Sequence, residues 1–321
     1  MKYDVVTFGE PMLLLLAADD LPLLSGQRFD VGVAGAESNL AIGLARLNHG
    51  VAYFGRVGAD TFGVRIQQTL RSEGIDVSAL TTDAELPTGI LLRDSPQGQP
   101  ITVEYRRAGS AATALAPEHL PKEMISNTRF LHVTGIIAAL SESALEAAEQ
   151  AMIIARQAGA EVSLDPNIRL RLASPEQWRK IIERLAPHAT IIFTGQDEAD
   201  IICRGVDPEE WYGERGATTV VVKNGASGSR EYMHTVASSV EAGVRPVHAV
   251  DVVGAGDGFN AGWISAWLNG ADSQTPEHAA LRLRTGATVA ASVVATRGDA
   301  TGLPTQAILR QLLSNGMDVN R

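Results

Sequence analysis

Cysteine is almost absent from this chain of 321 residues, in which Cys203 is the only one. A lone cysteine excludes an internal disulfide and a cysteine-based metal cluster. The seven histidines show no HExxH motif and no paired-ligand spacing, so nothing in the sequence supports a structural zinc site. A chain without disulfides fits a reducing compartment, and we expect a cytoplasmic protein.

Basic residues are in the minority. Lys and Arg total 27 against 37 Asp and Glu, which gives a formal net charge of −10. Neutralising a nucleic-acid backbone requires a basic surface, so this charge argues against a nucleic-acid partner. It still permits a small anionic ligand, because a local group of basic side chains and helix N-termini can bind phosphate on an acidic protein.

Long hydrophobic runs are also missing. The most apolar early stretch, MLLLLAA at residues 12–18, is followed by two aspartates and is far shorter than the roughly 20 residues that a membrane-spanning helix needs. The first ten residues, MKYDVVTFGE, lack the apolar segment and cleavage site of a secretory signal. We therefore expect no membrane partner.

Two nucleotide-binding fingerprints do not occur. The sequence has no GxxxxGK[ST] loop, and no GxGxxG follows its first predicted strand. P-loop and dinucleotide-binding proteins need those glycines for close approach of the backbone to phosphate. Their absence disfavours an NAD-dependent oxidoreductase.

What the chain does contain is an alternation of short apolar runs with helical patterns. This alternation predicts an α/β fold, a mainly parallel sheet with helices on both faces, in one large domain over residues 1–321. Strands are predicted at 5–9, 51–57, 130–134, 162–165, 189–193 and 218–223, and helices at 38–47, 62–73, 143–158, 256–268 and about 276–295.

Two stretches break the alternation, at about residues 12–33 and 87–107. Both carry β-type or alternating residues with turn signals and no helix between them. Such segments can pair as a small separate sheet. We predict that they form a lid built from discontinuous parts of the chain.

The stretch DVVGAGDGFNAGW, residues 251–263, places Gly254, Ala255 and Gly256 directly before Asp257 and a predicted helix. The first amides of a helix lack intrahelical partners and can bind an anion. Asp257 would then be able to accept a proton from a hydroxyl that attacks a phosphoryl group. The spacing is equally consistent with a turn in which Asp257 caps the helix.

Two further glycine-bearing stretches end strands or begin helices. In VGVAGAESNLAIGLARL, residues 31–47, Gly35 and Asn39 stand at a helix start and could bind a polyol, although Ser38 or Asn39 could equally be a helix cap. In VVVKNGASGS, residues 220–229, Lys223 ends a strand and could bind nucleotide phosphate. The following Asn-Gly is also a strong signal for a type I′ hairpin, and the two interpretations are compatible.

Arginines follow the predicted lid and a central strand. VEYRRAGSAA places Tyr105 and Arg107 near the end of the lid, and LDPNIRLRL places Arg169 just beyond a strand's carboxyl end. Open α/β sheets bind ligands at that edge, and converging arginines suit a carboxylate. Solvated surface arginines are the alternative.

Together these motifs resemble the ribokinase family of sugar kinases, the PfkB carbohydrate kinases. AGAESNLAIGLARLN and GRVGADTFG near the start, with DVVGAGDGFNAGW near the end, carry a resemblance that spans nearly the whole chain. It implies a ribokinase-like domain, with a Rossmann-like sheet and a β-sheet lid, that uses ATP and Mg²⁺ to phosphorylate a sugar hydroxyl. Lids of this family often pair between two subunits, so the resemblance also implies a homo-oligomer.

The resemblance also implies roles for particular residues. Asp257 resembles the catalytic base, and Asp251 matches a position near a monovalent cation, for which K⁺ is the expected ion. Glu198, in TGQDEAD, matches the acid that organises Mg²⁺ through water, although Gly195 replaces the asparagine of that motif. The anion hole corresponds to the amides of Gly254, Ala255 and Gly256, the sugar-contacting positions to Gly35 and Asn39, and the ATP positions to Lys223, Gly225, Ser227, Gly228 and Gly256.

Within the family, AGAE, EYRRAGSAA, DPNIR and TRGDATGLP look most like the 2-keto-3-deoxygluconate kinases. This implies an acid sugar bound by Tyr105, Arg107 and Arg169, with Asp299 also facing the substrate. A tyrosine common in close relatives is absent from TGILLRD. A neutral sugar such as fructose or ribose, or another deoxy-keto acid, is the alternative substrate. A non-catalytic binding protein of the same fold is the alternative class.

Overall fold

The computed structural model describes residues 2–18, 21–96 and 99–315. Its strands are β1 (Tyr3–Gly9), β2 (Met12–Ala17), β3 (Phe29–Ala34), β4 (Val51–Gly58), β5 (Leu80–Asp83), β6 (Ile90–Arg93), β7 (Val103–Arg106), β8 (Thr128–Thr134), β9 (Glu161–Asp165), β10 (Ile191–Gly195), β11 (Thr219–Lys223), β12 (Ser229–Met233) and β13 (Ser238–Ala242). Its helices are α1 (Ala36–Arg46), α2 (Thr61–Ser72), α3 (Lys122–Ser126), α4 (Gly135–Ala138), α5 (Glu142–Gln157), α6 (Pro175–Leu185), α7 (Gln196–Cys203), α8 (Pro208–Gly213), α9 (Ala255–Leu268), α10 (Pro276–Val294) and α11 (Gln306–Asn315).

Nine strands form the large sheet, in the order β13-β12-β11-β10-β9-β8-β1-β4-β5. All neighbours run parallel except at one edge, where β12 and β13 are antiparallel. Phe8 and Leu131 belong to the core on one face of the sheet, and Val5 and Phe130 to the core on the other. Helices therefore cover both faces, and the predicted α/β architecture is confirmed.

The parallel register brings several strand ends together. Thr134 pairs with Asp165 across β8 and β9, and Gly195 pairs with Lys223 across β10 and β11. Because parallel strands end at the same edge, the polar residues after them converge there. The same edge receives the start of α9.

A second sheet of four strands has the order β3-β2-β6-β7. Its strands come from the two segments that interrupt the strand–helix alternation. Strands β2 and β6 run parallel, while β3 and β7 are antiparallel to their neighbours. That this small sheet closes over a ligand stays a prediction.

Some local predictions need correction. The strand predicted at 189–193 runs from Ile191 to Gly195. The hairpin of β11 and β12 exists, but five residues connect its strands, and Asn224 has a φ of −111°. A two-residue type I′ turn requires positive φ at both central residues. Helix α6 was not predicted, although Ser174 and Gln177 form a capping box at its start.

Among the described residues, none of the helices has the length and apolarity that crossing a membrane would require.

Candidate active site

The start of α9 is the centre of the site. Gly254 is its N-cap residue, with a left-handed φ of 82°, and no side chain caps the helix. A side chain at Gly254 would place its Cβ 2.4 Å from the carbonyl oxygen of Asp299. Only glycine fits this conformation without strain. The alternative in which Asp257 caps the helix is therefore wrong, and the helix start remains open to an anion.

Asp257 lies in the first turn of α9 and is held by two asparagines. The Nδ2 of Asn39 donates to its Oδ2 at 2.8 Å, and the Nδ2 of Asn167 lies 3.5 Å from its Oδ1. Burial raises the pKa of Asp257 to about 6, against the opposing effects of the Asn39 hydrogen bond and the Arg169 charge. An acid with this pKa is mostly ionised at neutral pH and accepts a proton well.

Both asparagines also carry an unpaired hydrogen-bond acceptor. The Oδ1 atoms of Asn39 and Asn167 are buried and have no hydrogen-bond partner among the described residues. A buried acceptor left unpaired costs about 1–3 kcal/mol, so these oxygens indicate a ligand with hydroxyl donors. Asn167 also has a left-handed φ of 46°, a strained conformation of the kind found at functional sites.

Gly35 allows a close approach between α1 and the residue that follows β1. It is the N-cap of α1, with a φ of 135° and no side-chain cap, so neither Ser38 nor Asn39 caps the helix as the alternative interpretation held. A Cβ at Gly35 would lie 2.7 Å from the Glu10 carbonyl oxygen. The glycine thus lets α1 approach the end of β1 and brings Asn39 to Asp257.

Lys223 lies beside the helix start, paired with an acid. Its Nζ is 2.7 Å from Asp165 Oδ2 and 3.4 Å from Asn260 Oδ1. Burial alone would raise the pKa of Asp165, but the charge and hydrogen bond of Lys223 lower it. A Cβ at Gly256 would lie 3.8 Å from the lysine Nζ. A positive charge therefore stands next to the first amides of α9. The sequence places Asp165 at this ligand-binding edge but predicts no pairing with Lys223, and Asn260 is not among the predicted site residues.

A cavity of about 570 Å³ adjoins this corner. Gly225 and Gly228 line it from the β11–β12 connection, and Gly256 lines it from α9. Apolar side chains such as Phe259 and Val294 line much of the rest. An apolar cleft with a few polar groups at one end suits a nucleotide base and its phosphates. Ser227 is not among the residues that line it.

A second cavity, of about 650 Å³, lies between the small sheet and the loop after β9. Tyr105, Arg107 and Arg169 line it as the sequence predicts, and Arg171 joins them. Arg169 is exposed and donates to the carbonyl of Ile168 at 3.0 Å. Its charge also acts on Asp257. The cavity thus presents basic groups near the candidate base.

Arg107 is paired with an acid of the protein. It is buried, and its Nε donates to Oε2 of Glu10 at 2.6 Å. Ser110 donates to the other oxygen of Glu10 at 2.5 Å. The charge of Arg107 is therefore paired within the protein, while the residue also lines the second cavity. Its binding of an acid sugar stays a prediction.

Glu198 contacts the backbone on both sides. Its Oε1 accepts from the amide of Ile168 and its Oε2 from the amide of Gly195, each at 2.8 Å. Burial and the nearby charge of Asp165 raise the pKa of Glu198. The described residues contain no group of three or more metal-ligating side chains. Mg²⁺ usually keeps several waters and binds one or two carboxylates with substrate phosphates, so Glu198 and Asp165 fit that ion.

Asp251 and Asp299 share one arginine as their partner. Both carboxylates bind the guanidinium of Arg93, at 2.8 and 2.7 Å from its Nη2. Asp299 is only 3% exposed. Arg93, at the end of β6, therefore lies between the two carboxylates, and the substrate contact of Asp299 and the cation contact of Asp251 stay predictions.

Glu37 is the acid that sequence reasoning missed, although it is part of the quoted motif AGAE. It is 1% exposed and accepts a hydrogen bond from the hydroxyl of Thr134. Burial, with a smaller contribution from the charge of Asp257, raises the pKa of Glu37 from 4.5 to about 7. Its position on α1, two residues before Asn39, was the only available signal.

The raised pKa of Glu37 predicts a pH-dependent stability. The folded state holds the proton more tightly, so the contribution of Glu37 is most favourable below pH 4.5 and is lost as the pH rises through about 7. The effect of Glu37→Gln on the free energy of unfolding should therefore be more favourable at pH 8 than at pH 5, with a difference of about 3 kcal/mol at most. Urea unfolding at both pH values measures this difference, with exposed Glu118→Gln as control. An equal effect at both pH values would contradict the assignment.

Comparison with known proteins agrees with this geometry. The pfkB family carbohydrate kinase profile matches residues 2–306. The chain is 37% identical over 320 residues to a 2-dehydro-3-deoxygluconokinase of Bacillus subtilis (strain 168), covering 98% of this chain and 96% of the relative. It is 32% identical over 314 residues to the 2-dehydro-3-deoxygluconokinase of Thermoproteus tenax, covering 96% and 94%.

A solved structure gives the same result. The crystal structure of a PfkB protein from Polaromonas sp. JS666 superposes with a TM-score of 0.85 at 37% identity, covering 96% of this chain and 99% of that one. Family profile, relatives and structure each extend over almost the entire chain. The protein therefore belongs to the pfkB family of carbohydrate kinases.

Proposed function

We propose that this kinase uses ATP to phosphorylate the terminal 6-hydroxyl of 2-keto-3-deoxygluconate, the compound also called 2-dehydro-3-deoxygluconate. The observation that carries the proposal is the surroundings of Asp257: a buried base, two asparagine oxygens without partners, and an uncapped helix start. Two relatives named for this substrate, at 37% and 32% identity, support its choice.

The proposed reaction is an in-line transfer. Asp257 accepts the proton of the sugar hydroxyl as its oxygen attacks the γ-phosphorus and ADP leaves. The unpartnered oxygens of Asn39 and Asn167 accept hydrogen bonds from the sugar and orient it. Orientation of this kind removes much of the entropic barrier.

The charge that develops on the transferring group lies at the start of α9. The amides of Gly254, Ala255 and Gly256 form the proposed anion hole, although the Ala255 amide also makes a long 3.3 Å bond to the Val252 carbonyl. Lys223 adds a positive charge beside Gly256. Mg²⁺, when bound with ATP, supplies further neutralisation of the phosphates, and Glu198 and Asp165 are the residues that would hold it through water.

The acid group of the sugar is proposed to meet Arg169. This guanidinium is exposed in the 650 Å³ cavity, near Tyr105, and its charge reaches Asp257. Arg107 lines the same cavity and is held in position by its hydrogen bond to Glu10. A neutral sugar is the second candidate substrate, and the pairing of Arg107 with Glu10 favours it, since that pairing leaves fewer free basic groups for a carboxylate.

An ADP-release assay over a panel of sugars and sugar acids, beginning with 2-keto-3-deoxygluconate, separates the two candidates.

The cytoplasm is the proposed location, supported by the use of ATP and by a single buried, unbridged Cys203.

Asp257→Asn should lower kcat by about 10²-fold or more with little change in sugar KM, because it removes the general base. In the unsubstituted enzyme, kcat/KM should fall as the pH drops through about 6, the pKa of Asp257. Steady-state ADP release between pH 5 and 8 measures both. Asp200→Asn, an exposed acid on α7, is the control. Near-normal turnover of Asp257→Asn would refute the role of base.

Arg169→Met should raise the KM for 2-keto-3-deoxygluconate by about 10- to 100-fold, as expected for the loss of a charge-assisted bond of about 1.5–3 kcal/mol. The KM for ATP should not change. Arg106→Met is the matched control. Arg106 is an exposed arginine at the end of β7, beside Tyr105, and in the salt bridges described it pairs only with Glu104. Equal effects of the two substitutions on sugar KM would argue against an acid-binding role.

A homo-oligomer is proposed from the outer strand of the small sheet. Phe29 and Val31 on β3 are 37% and 41% exposed, and neighbouring exposed apolar side chains often mark an interaction site. Sedimentation velocity should give a mass above the 34.0 kDa of one chain. Val31→Lys should shift the mass towards the monomer, whereas Val206→Lys, at a residue 43% exposed elsewhere, should not. A monomeric unsubstituted protein would contradict the proposal.

A further inference from the structure

Arg93, Asp251 and Asp299 form a buried ion triad between the small sheet and the segments that precede α9 and follow α10. Their side chains are 0%, 0% and 3% exposed. Arg93 Nη2 lies 2.8 Å from Asp251 Oδ2 and 2.7 Å from Asp299 Oδ1, and its Nε lies 2.9 Å from the same Asp299 oxygen. Charges this deeply buried are tolerated only when they are paired. The three side chains therefore depend on one another.

The ion triad joins three separate segments of the chain. Arg93 ends β6 of the small sheet, Asp251 precedes the start of α9, and Asp299 lies in the loop after α10. The carboxylate of Asp251 also accepts from the amides of Val253 and Gly298, each at 3.1 Å. The carbonyl of Asp299 packs against Gly254. The geometry of the proposed anion hole thus rests on this ion triad.

A resident monovalent cation does not fit these residues. The family resemblance places such an ion near Asp251, and K⁺ would need a position beside that carboxylate that no other positive charge occupies. Both oxygens of Asp251 and the Oδ1 of Asp299 already accept N–H groups. The guanidinium of Arg93 lies between the two carboxylates and brings its own positive charge.

We infer that Arg93 is a positioning residue that takes over the charge-balancing task of a monovalent cation, so that phosphoryl transfer by this protein does not require K⁺. Arg93 touches none of the proposed reacting atoms. It acts through Asp251 and Asp299 on the backbone around Gly254, and it ties the small sheet to that backbone. The kinetic part of the inference rests on the proposed function.

The first test uses the unsubstituted protein. Activity is measured in buffers whose only monovalent cation is tetramethylammonium, and K⁺ then replaces it up to about 100 mM at constant ionic strength, so that general charge screening stays the same. We expect kcat to change less than about twofold and the melting temperature to stay constant. Activation of tenfold or more by K⁺, or a K⁺-specific rise in melting temperature, would overturn the inference, because a bound ligand stabilises the folded state.

The second test removes the guanidinium. Arg93→Ala should lower kcat by about 10²-fold, the scale of a misplaced site, while the KM for sugar changes little. Guanidinium chloride at low millimolar concentration should restore part of the lost kcat, and urea, its neutral isostere, should not. Equal effects of guanidinium and urea, or no effect of either on a folded Arg93→Ala protein, would contradict the inference.

Arg282→Ala is the matched control. Arg282 is equally buried, at 2% exposure, and pairs with Glu231 away from the start of α9. Its removal should lower stability without guanidinium-dependent recovery of kcat. The melting-temperature comparison needs no sugar, so it separates a failure of this inference from a failure of the proposed substrate. If no sugar of the panel is phosphorylated but K⁺ leaves the melting temperature unchanged, only the proposed function has failed.

Discussion

The left-handed backbone of Gly254 is the constraint on which the site depends. It allows the chain to turn directly into α9 against the carbonyl of Asp299, where a Cβ would lie 2.4 Å from that oxygen. Because no side chain caps the helix, its first amides stay available to an anion. Asp257 follows three residues later, in the first turn of the helix.

The buried carboxylates around this turn have pKa values shifted in opposite directions. Glu37 and Asp257 have raised pKa values because they are buried, whereas Asp165 has a lowered pKa because Lys223 adjoins it. Neighbouring carboxylates in different environments can therefore take different protonation states at one pH, as separated acid and base roles require. Asp165 pairs with Lys223, and the raised pKa of Asp257 suits its proposed role as the acceptor of a proton.

The small sheet is tied to the same place from two sides. Arg93 reaches from β6 to Asp251 and Asp299, and Arg107, just beyond β7, reaches Glu10 at the end of β1. These contacts bury charge between the sheets, so that the position of the small sheet is coupled energetically to the helix start. Sheets joined only by apolar contacts would lack this directional coupling.

Much of the architecture follows from local pattern. Alternating apolar runs and helical periodicity predict the parallel sheet, and the glycines before Asp257 predict a turn into a helix, because period and backbone freedom are local properties. That this helix start has no side-chain cap is seen only in the structure. The partners of the charges are not local. Arg93 and Asp299 lie 206 residues apart, and Asn39 and Asp257 lie 218 residues apart. The sequence by itself determined the fold class, the family and the candidate base. Only the tertiary structure decided that Asp251, Asp299 and Arg107 pair within the protein, since burial makes charge pairing compulsory while sequence distance leaves the partner open.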